Sequence, residues 1–290
     1  MNSRIASNDF EFILCECRAL FLKKKIIKKY ADSVEPQIQQ IIQFLKKNRI
    51  SVFPYSYTKK YRISDVQIEK DENNGLLYAV LNGRRLYLRR GYQSKYRAAR
   101  YVKNILLEQD PESPHCYLNA DFMPEENSVV IDIGGAEGAF SLPHIDKMKH
   151  VFIFDCDASW VEALNATYKD YKDKVTIIKK FVSAHTDDNH ICLDDLVKQY
   201  HLENEKIFIK IDAEGDEINI LKGAKELLRE VGNVKLAVCV YHRQEHERKI
   251  REHFKGWRIT NSEGYMIYYY DFDCKDPYLR RGVLRIEKTP

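Results

Sequence analysis

The chain has no recurring Cys-x-x-Cys pair, no Pro-Pro dipeptide, no internal repeat and no low-complexity tract. Its seven cysteines are odd in number and scattered, so no disulfide framework is expected. Cys15-Glu16-Cys17 is an isolated pair in a helix-like stretch and reads as structural rather than metal-binding. No apolar run is long enough to span a bilayer. The opening MNSRIASNDFEF lacks a basic stretch leading into an apolar one, so no signal peptide is expected. A reduced, cytoplasmic protein is the reading these absences favour. Charge of one sign is also lacking: Lys+Arg 47 against Asp+Glu 43 leaves only +4, which does not by itself predict a nucleic acid partner.

What is present is enough to build a core, with 44% hydrophobic and 12% aromatic residues. Residues 1–115 open with lysine-rich segments near 9–30 and 36–48, whose apolar residues recur at helical spacing and whose lysines form a solvated face. GLLYAVLNGRRLYLRR then sets Asn82-Gly83 between two alternating runs, the signal of a two-residue hairpin. A tyrosine- and arginine-rich segment follows at 91–109. The region is expected to bind an acceptor molecule or to mediate self-association into a homo-oligomer.

From residue 116 to 290, strand-like runs alternate with helical ones. Strands are expected at 129–134, 150–157, 175–183, 206–212 and 235–242, with helices near 139–147, 159–171, 194–201, 217–230 and 244–254. This alternation predicts an α/β fold, a doubly wound parallel sheet with helices on both faces. YMIYYYDF (265–272) and GVLRIEK (282–288) have no helix between them, so the sheet is expected to end in an antiparallel hairpin.

The first βα turn reads VVIDIGGAEGAF, residues 129–140. Gly134, Gly135 and Gly138 let a ligand approach the backbone, and a helix beginning near Ala139 would point its amides at that ligand. The spacing fails the GxGxxG dinucleotide fingerprint and instead gives Asp132-x-Gly134-x-x-x-Gly138, the turn associated with S-adenosyl-L-methionine. That cofactor's amino and sulfonium groups are cationic, which suits Asp132 and Glu137. Asp155 ends the second strand about 20 residues after Gly134, where a carboxylate can accept bonds from both ribose hydroxyls.

IFIKIDAEGDEINILKGAKELL (207–228), together with that turn and ICLDDLV (191–197), closely resembles the FkbM-type methyltransferases over residues 113–255. The resemblance implies a Rossmann-like seven-stranded methyltransferase sheet, S-adenosyl-L-methionine as cofactor, and methylation of hydroxyl groups on sugars and glycosylated metabolites. It implies that Asp132, Gly134, Ala136, Glu137 and Gly138 form the cofactor loop, with Gly135 between them. By the same resemblance Asp155 is the ribose acid, Ser183 lies near the adenine, and Asp212 and Glu214 end the fourth strand facing cofactor and acceptor. Many members have Glu-x-His at the end of the fifth strand, whereas this chain has Val240-Tyr241-His242, keeping the histidine without the glutamate.

Methyl transfer to a hydroxyl requires alignment and removal of one proton, so His242, Asp212 and Glu214 are the candidate catalytic groups. Asp212 and Glu214 are open to a second role, holding acceptor hydroxyls or a divalent cation, but two carboxylates do not establish a metal site. His242-Arg-Gln-Glu245-His246 matches the HxxEH string of inverted zinc peptidases. That reading is rejected because His242 closes a strand run rather than sharing a helix with His246. Pro114-His115, at the domain boundary, is open to a part in the acceptor site, with a linker turn the preferred reading. Residues 84–101 interleave arginine with tyrosine as a nucleic acid surface would. Nucleic acid is nevertheless disfavoured, since the Pro-Pro and Pro-Cys motifs of base methylases are missing. The preferred function is O-methylation of a sugar, nucleotide-sugar or glycan precursor. The alternatives are a nucleic acid methyltransferase and a catalytically silent cofactor-binding scaffold.

Overall fold

The computed structural model describes residues 18–268 and 275–288. Cys15, Cys17 and the first part of the helix expected from residue 9 lie outside those residues, as does the second half of the strand expected at 265–272. Helix α1 (18–29) and α2 (Pro36–Lys47) bury Ile26, Ile38, Ile41, Ile42 and Leu45, and leave lysines in solvent. A three-stranded antiparallel sheet follows, made of β1 (Ile68–Lys70), β2 (Leu77–Leu81) and β3 (Arg84–Tyr87). Asn82 (φ 50°) and Gly83 (φ 78°) are both left-handed, as a hairpin turn matched to the twist of its strands requires. Helix α3 (Lys95–Glu108) starts at Ser94, whose side chain accepts the Arg97 amide.

The main sheet has seven strands: β4 (Val129–Ile133), β5 (His150–Phe154), β6 (Val175–Ile178), β9 (Ile207–Ile211), β10 (Val234–Cys239), β11 (Arg258–Asn261) and β12 (Val283–Glu287). Their order is β11-β12-β10-β9-β4-β5-β6. β12 runs antiparallel to both neighbours, and the other pairs are parallel. Alternate residues serve opposite faces. Val130, Ile153 and Phe208 pack with α2 and the segment around Phe53–Tyr57, while Ile131, Phe152 and Ile209 pack under the helices α5 (Leu193–Tyr200), α6 (Glu217–Lys222), α7 (Lys225–Glu230) and α8 (His246–His253). Burial on both faces explains why these strands read as near-continuous apolar runs. Among the described residues no helix is long and apolar enough to cross a membrane.

Four expectations are corrected. The C-terminal hairpin pairs β12 with β11 at Arg258–Asn261, not with residues 265–268 of the expected strand. Met266 makes only an isolated bridge to Arg280, and Ile267 donates to Val52 O instead of joining the sheet. Tyr265 finds its half-buried surface against the N-terminal segment, with Tyr55 Oη bonded to both its backbone groups. The helix expected at 139–147 is a 3-10 turn, Leu142–Lys147, because Pro143 lacks the amide that an α-helix would need there. The run 175–183 splits after β6, and β7 (Phe181–Val182) pairs separately with β8 (His190–Ile191). The helix expected at 217–230 breaks at Gly223-Ala224. There the chain lies against Ser183 O so closely that an added Cβ would sit 2.3 Å away.

One polar contact ties the central strands together. Lys210 on β9 is paired in register with Asp132 on β4, and both are buried. Its ammonium lies 3.1 Å from Asp132 Oδ1 and donates to Gly134 O at 2.6 Å and Ile133 O at 3.2 Å. Burial opposes its charge, but Asp132 and Asp212 outweigh burial and hold its pKa above the ordinary lysine value. Removing one partner strands the other charge in the core, so Lys210→Met is expected to lower unfolding free energy by about 3–5 kcal/mol. Urea unfolding of the variant and of the Lys210→Met/Asp132→Asn pair checks this. The double variant should recover part of the loss.

Candidate active site

The carboxyl ends of the parallel strands open into a cavity of about 900 Å³, the usual ligand position in a doubly wound sheet. The turn after β4 forms one wall. Gly134 (φ 72°) rides over the Asp212 carbonyl, which an added Cβ would meet at 2.0 Å, so only glycine fits. Gly134 and Gly135 both donate to Phe154 O at 3.0 Å, and Ala136 N donates to Asp155 Oδ2 at 2.9 Å. Asp155 Oδ1 accepts from Asp157 N at 2.8 Å. Each carboxylate oxygen keeps a lone pair for a ligand in the cavity.

Of the eight residues assigned to the cofactor, Gly134, Gly135, Ala136, Glu137 and Asp155 line this cavity. Asp132 lies behind the turn, where Lys210 and the Ser141 hydroxyl (3.0 Å) occupy its carboxylate. Gly138 (φ 85°) packs under Tyr168, whose hydroxyl donates to its carbonyl at 2.6 Å. Ser183 follows β7 rather than a strand of the main sheet. Its amide donates to Ile191 O, and its neighbours Phe181 and Val182 reach the cavity instead.

The opposite wall is acidic and histidine-rich. Asp212 Oδ2 accepts the Tyr117 hydroxyl at 2.6 Å and lies 3.5 Å from His115 Nε2. Burial opposes the charge on Asp212, but His115, Lys210 and His242 outweigh it and hold the carboxyl far below its usual range. His242 is 3% exposed. Its Nδ1 donates to Glu217 Oε1 at 2.7 Å, while its Nε2 points between Asp212 Oδ1 (3.5 Å) and Glu214 Oε2 (3.6 Å). Glu217 is fully buried; its Oε1 also accepts from Ala213 N and Gly215 N at 3.2 Å, and its Oε2 lies 3.0 Å from His246 Nδ1. Burial would raise the Glu217 pKa, but His242 and His246 bring it down to about 2. Burial likewise disfavours charge on His242, and the surrounding carboxylates raise its pKa regardless. The three catalytic candidates therefore do meet, with Asp212 and Glu214 on the cavity wall and His242 just behind them.

The sequence reading missed several neighbours. Lys210 and Glu217 stood in the KIDAEGDE string, but a string does not say which side chains turn inward. His115, for which a linker turn is preferred over the acceptor site in sequence, is buried and lines the cavity beside Tyr117 and Tyr241. Phe53, Asn104, Glu108 and Tyr268 complete the walls from distant parts of the chain.

Glu137 is the loop carboxyl most altered by its setting. Burial raises its pKa to about 7, against the Tyr101 hydroxyl that donates to it at 2.6 Å. A carboxyl whose pKa is raised on folding contributes stability that is fully present below its unfolded pKa and lost as pH climbs through the folded one. Wild-type stability should therefore fall relative to Glu137→Gln between pH 4.5 and 7, by roughly 2–3 kcal/mol. Paired denaturation curves across that window check the sign, and parallel curves would refute it.

A family model described as the methyltransferase FkbM domain matches residues 91–265. No curated protein sequence matches the chain. Among solved structures, the methyltransferase FkbM of Methylobacillus flagellatus KT is 19% identical with a TM-score of 0.44. The match covers 66% of this chain and 54% of that one, so the chain spans about half that protein's length. An rRNA methylase of Streptococcus thermophilus is 11% identical (TM-score 0.37, covering 57% of this chain and 89% of that one). The C-terminal domain of precorrin-6Y C5,15-methyltransferase from Rhodobacter capsulatus is 12% identical (TM-score 0.38, covering 59% and 85%). With the family model spanning more than half of its residues, the chain belongs to the FkbM methyltransferase family.

Proposed function

We propose that the protein is an S-adenosyl-L-methionine-dependent O-methyltransferase acting on a hydroxyl of a sugar, nucleotide-sugar or glycan precursor. The observation that carries this reading is one cavity with the glycine turn and Asp155 on one side and Asp212 and Glu214 on the other. Asp155 would take the ribose hydroxyls, and the glycine backbone would let the methionine part lie close. The cofactor, when bound, would supply an activated methyl group, and the cluster of Asp212, Glu214 and His242 would take the proton of an acceptor hydroxyl held in line with it. Alignment of the two reactants can supply ~7–11 kcal/mol of barrier lowering.

The remaining walls suit a sugar. Phe53, Tyr117 and Tyr268 offer flat apolar surface, and Asn104 and Glu108 offer groups that bond hydroxyls. Several of these residues precede 116, which supports an acceptor-binding role for the N-terminal region. The basic segment 84–101 gives little support to a nucleic acid acceptor. Arg84 pairs with Asp146, Arg85 with Asp71, Arg89 with Asp157 and Arg90 with Glu162, all within the chain. A cytoplasmic setting fits a nucleotide-linked acceptor.

Calorimetry with S-adenosyl-L-methionine should give one site per chain. Asp155→Ala should weaken it roughly 10–100-fold, the effect of losing hydrogen bonds to a charged group. Equal affinity in the variant would remove Asp155 from the ribose role. Incubation with methyl-labelled cofactor should label nucleotide-sugar or oligosaccharide pools, and label confined to RNA or DNA would overturn the acceptor class.

A further inference from the structure

We infer that His242 Nε2, Asp212 Oδ1 and Glu214 Oε2 form a binding site for a divalent transition-metal cation, with Glu217 as the carboxylate that orients the histidine. His242 Nε2 is buried and makes no hydrogen bond. Its two nearest acceptors stand 3.5 and 3.6 Å away, beyond a normal nitrogen–oxygen hydrogen bond. Atoms bound about 2.1 Å from one shared ion lie roughly 3.0–3.4 Å apart. His242 and Asp212 stand in a cluster whose ligand atoms lie within 4.8 Å of one another, and the 84% exposed Glu214 side chain has to swing toward Asp212 to join them. The other ring nitrogen is already committed. Nδ1 donates to Glu217 Oε1 at 2.7 Å, the carboxylate–histidine arrangement that fixes a metal-binding imidazole with its second nitrogen facing the ion.

The surrounding charge favours a cation. Asp212, Glu214 and Glu217 converge on one imidazole, with His246 behind Glu217. The nearby Lys210 ammonium is held beneath the turn by Asp132 and two carbonyls. One nitrogen with two carboxylate oxygens suits Mn²⁺ or Zn²⁺ better than Ca²⁺, which takes an all-oxygen shell. The ion takes the place of any proton on Nε2 and leaves positions open toward the cavity. This deepens the methyltransferase reading and rests on it for the acceptor. With the ion in place the three side chains serve as ligands, and an acceptor hydroxyl bound to the ion would be more acidic and give its proton to water, replacing the route through those side chains.

The test uses the full chain, stripped with chelator and titrated with MnCl₂. Binding is followed by the electron paramagnetic resonance of free Mn²⁺ and by calorimetry. One ion per chain is expected. Glu214→Gln, at a side chain 84% exposed, should fold normally and weaken binding roughly tenfold or more. His242→Gln, checked for folding by circular dichroism, should abolish it. His190→Ala is the control for the exposed His185, Asp187 and His190 group and should change nothing. Absence of a saturable ion, unchanged affinity in either site variant, or loss of binding in the control overturns the site. Calorimetry with S-adenosylhomocysteine on the same samples separates the two readings. Cofactor binding without an ion site refutes the cation alone. An ion site without cofactor binding refutes the methyltransferase chemistry.

Discussion

The buried pair of Lys210 and Asp132 is the contact on which the rest of the structure depends. It joins the two central strands in register and uses the remaining donors of one ammonium to hold the carbonyls that open the glycine turn. An unpaired charge at that depth would cost several kcal/mol, so the turn is held in shape by the penalty for leaving it. Two residues further along β9 the chain delivers Asp212 to the cavity, and the Asp212 carbonyl is the surface that Gly134 rides over. The glycine turn and the Asp212 carboxylate are therefore two ends of one rigid unit.

A second buried acid performs the same service on the other side. Glu217 is withdrawn from solvent, yet it binds two histidines and two backbone amides of the preceding turn. It sets where His242 points and how the turn carrying Glu214 lies. Glu214 itself has φ 51°, a left-handed conformation uncommon outside glycine, which the amide bonds to Glu217 help to hold.

The sheet and its cofactor turn were legible because both rest on local pattern. Apolar runs broken by glycine and aspartate mark β4 and β5, and a parallel sheet follows from βα alternation. Asp155, Asp212 and Glu214 reach the cavity as strand-end residues for the same reason. Elements governed by distant contacts were harder to read. Tyr265 and Tyr268 have strand-like chemistry, but Tyr265 bonds Tyr55 and Tyr268 packs against Tyr241 and His242, all distant in sequence. Pro143 shortened a helix that spacing alone would have extended. His115 resembled linker composition because nothing nearby in sequence announces its contact with Tyr241 and Asp212. Lys210 and Glu217 differ again. They were visible in the motif, but whether a charged side chain faces solvent or core depends on its cross-strand partner.

The position of β12 has a consequence for how the protein comes to exist. β11 touches the sheet only through β12, and β12 follows it in the chain. During synthesis β11 emerges with no strand to join, and β10 presents an open edge until residues 283–287 arrive. Tyr268 and Met266, which wall the cavity, lie in the connection between these two strands. The pocket is thus finished late, by a strand wedged between two others. A ribosome-bound chain lacking those residues has an exposed sheet edge and an incomplete cavity wall, and it is vulnerable to edge-to-edge aggregation over that interval.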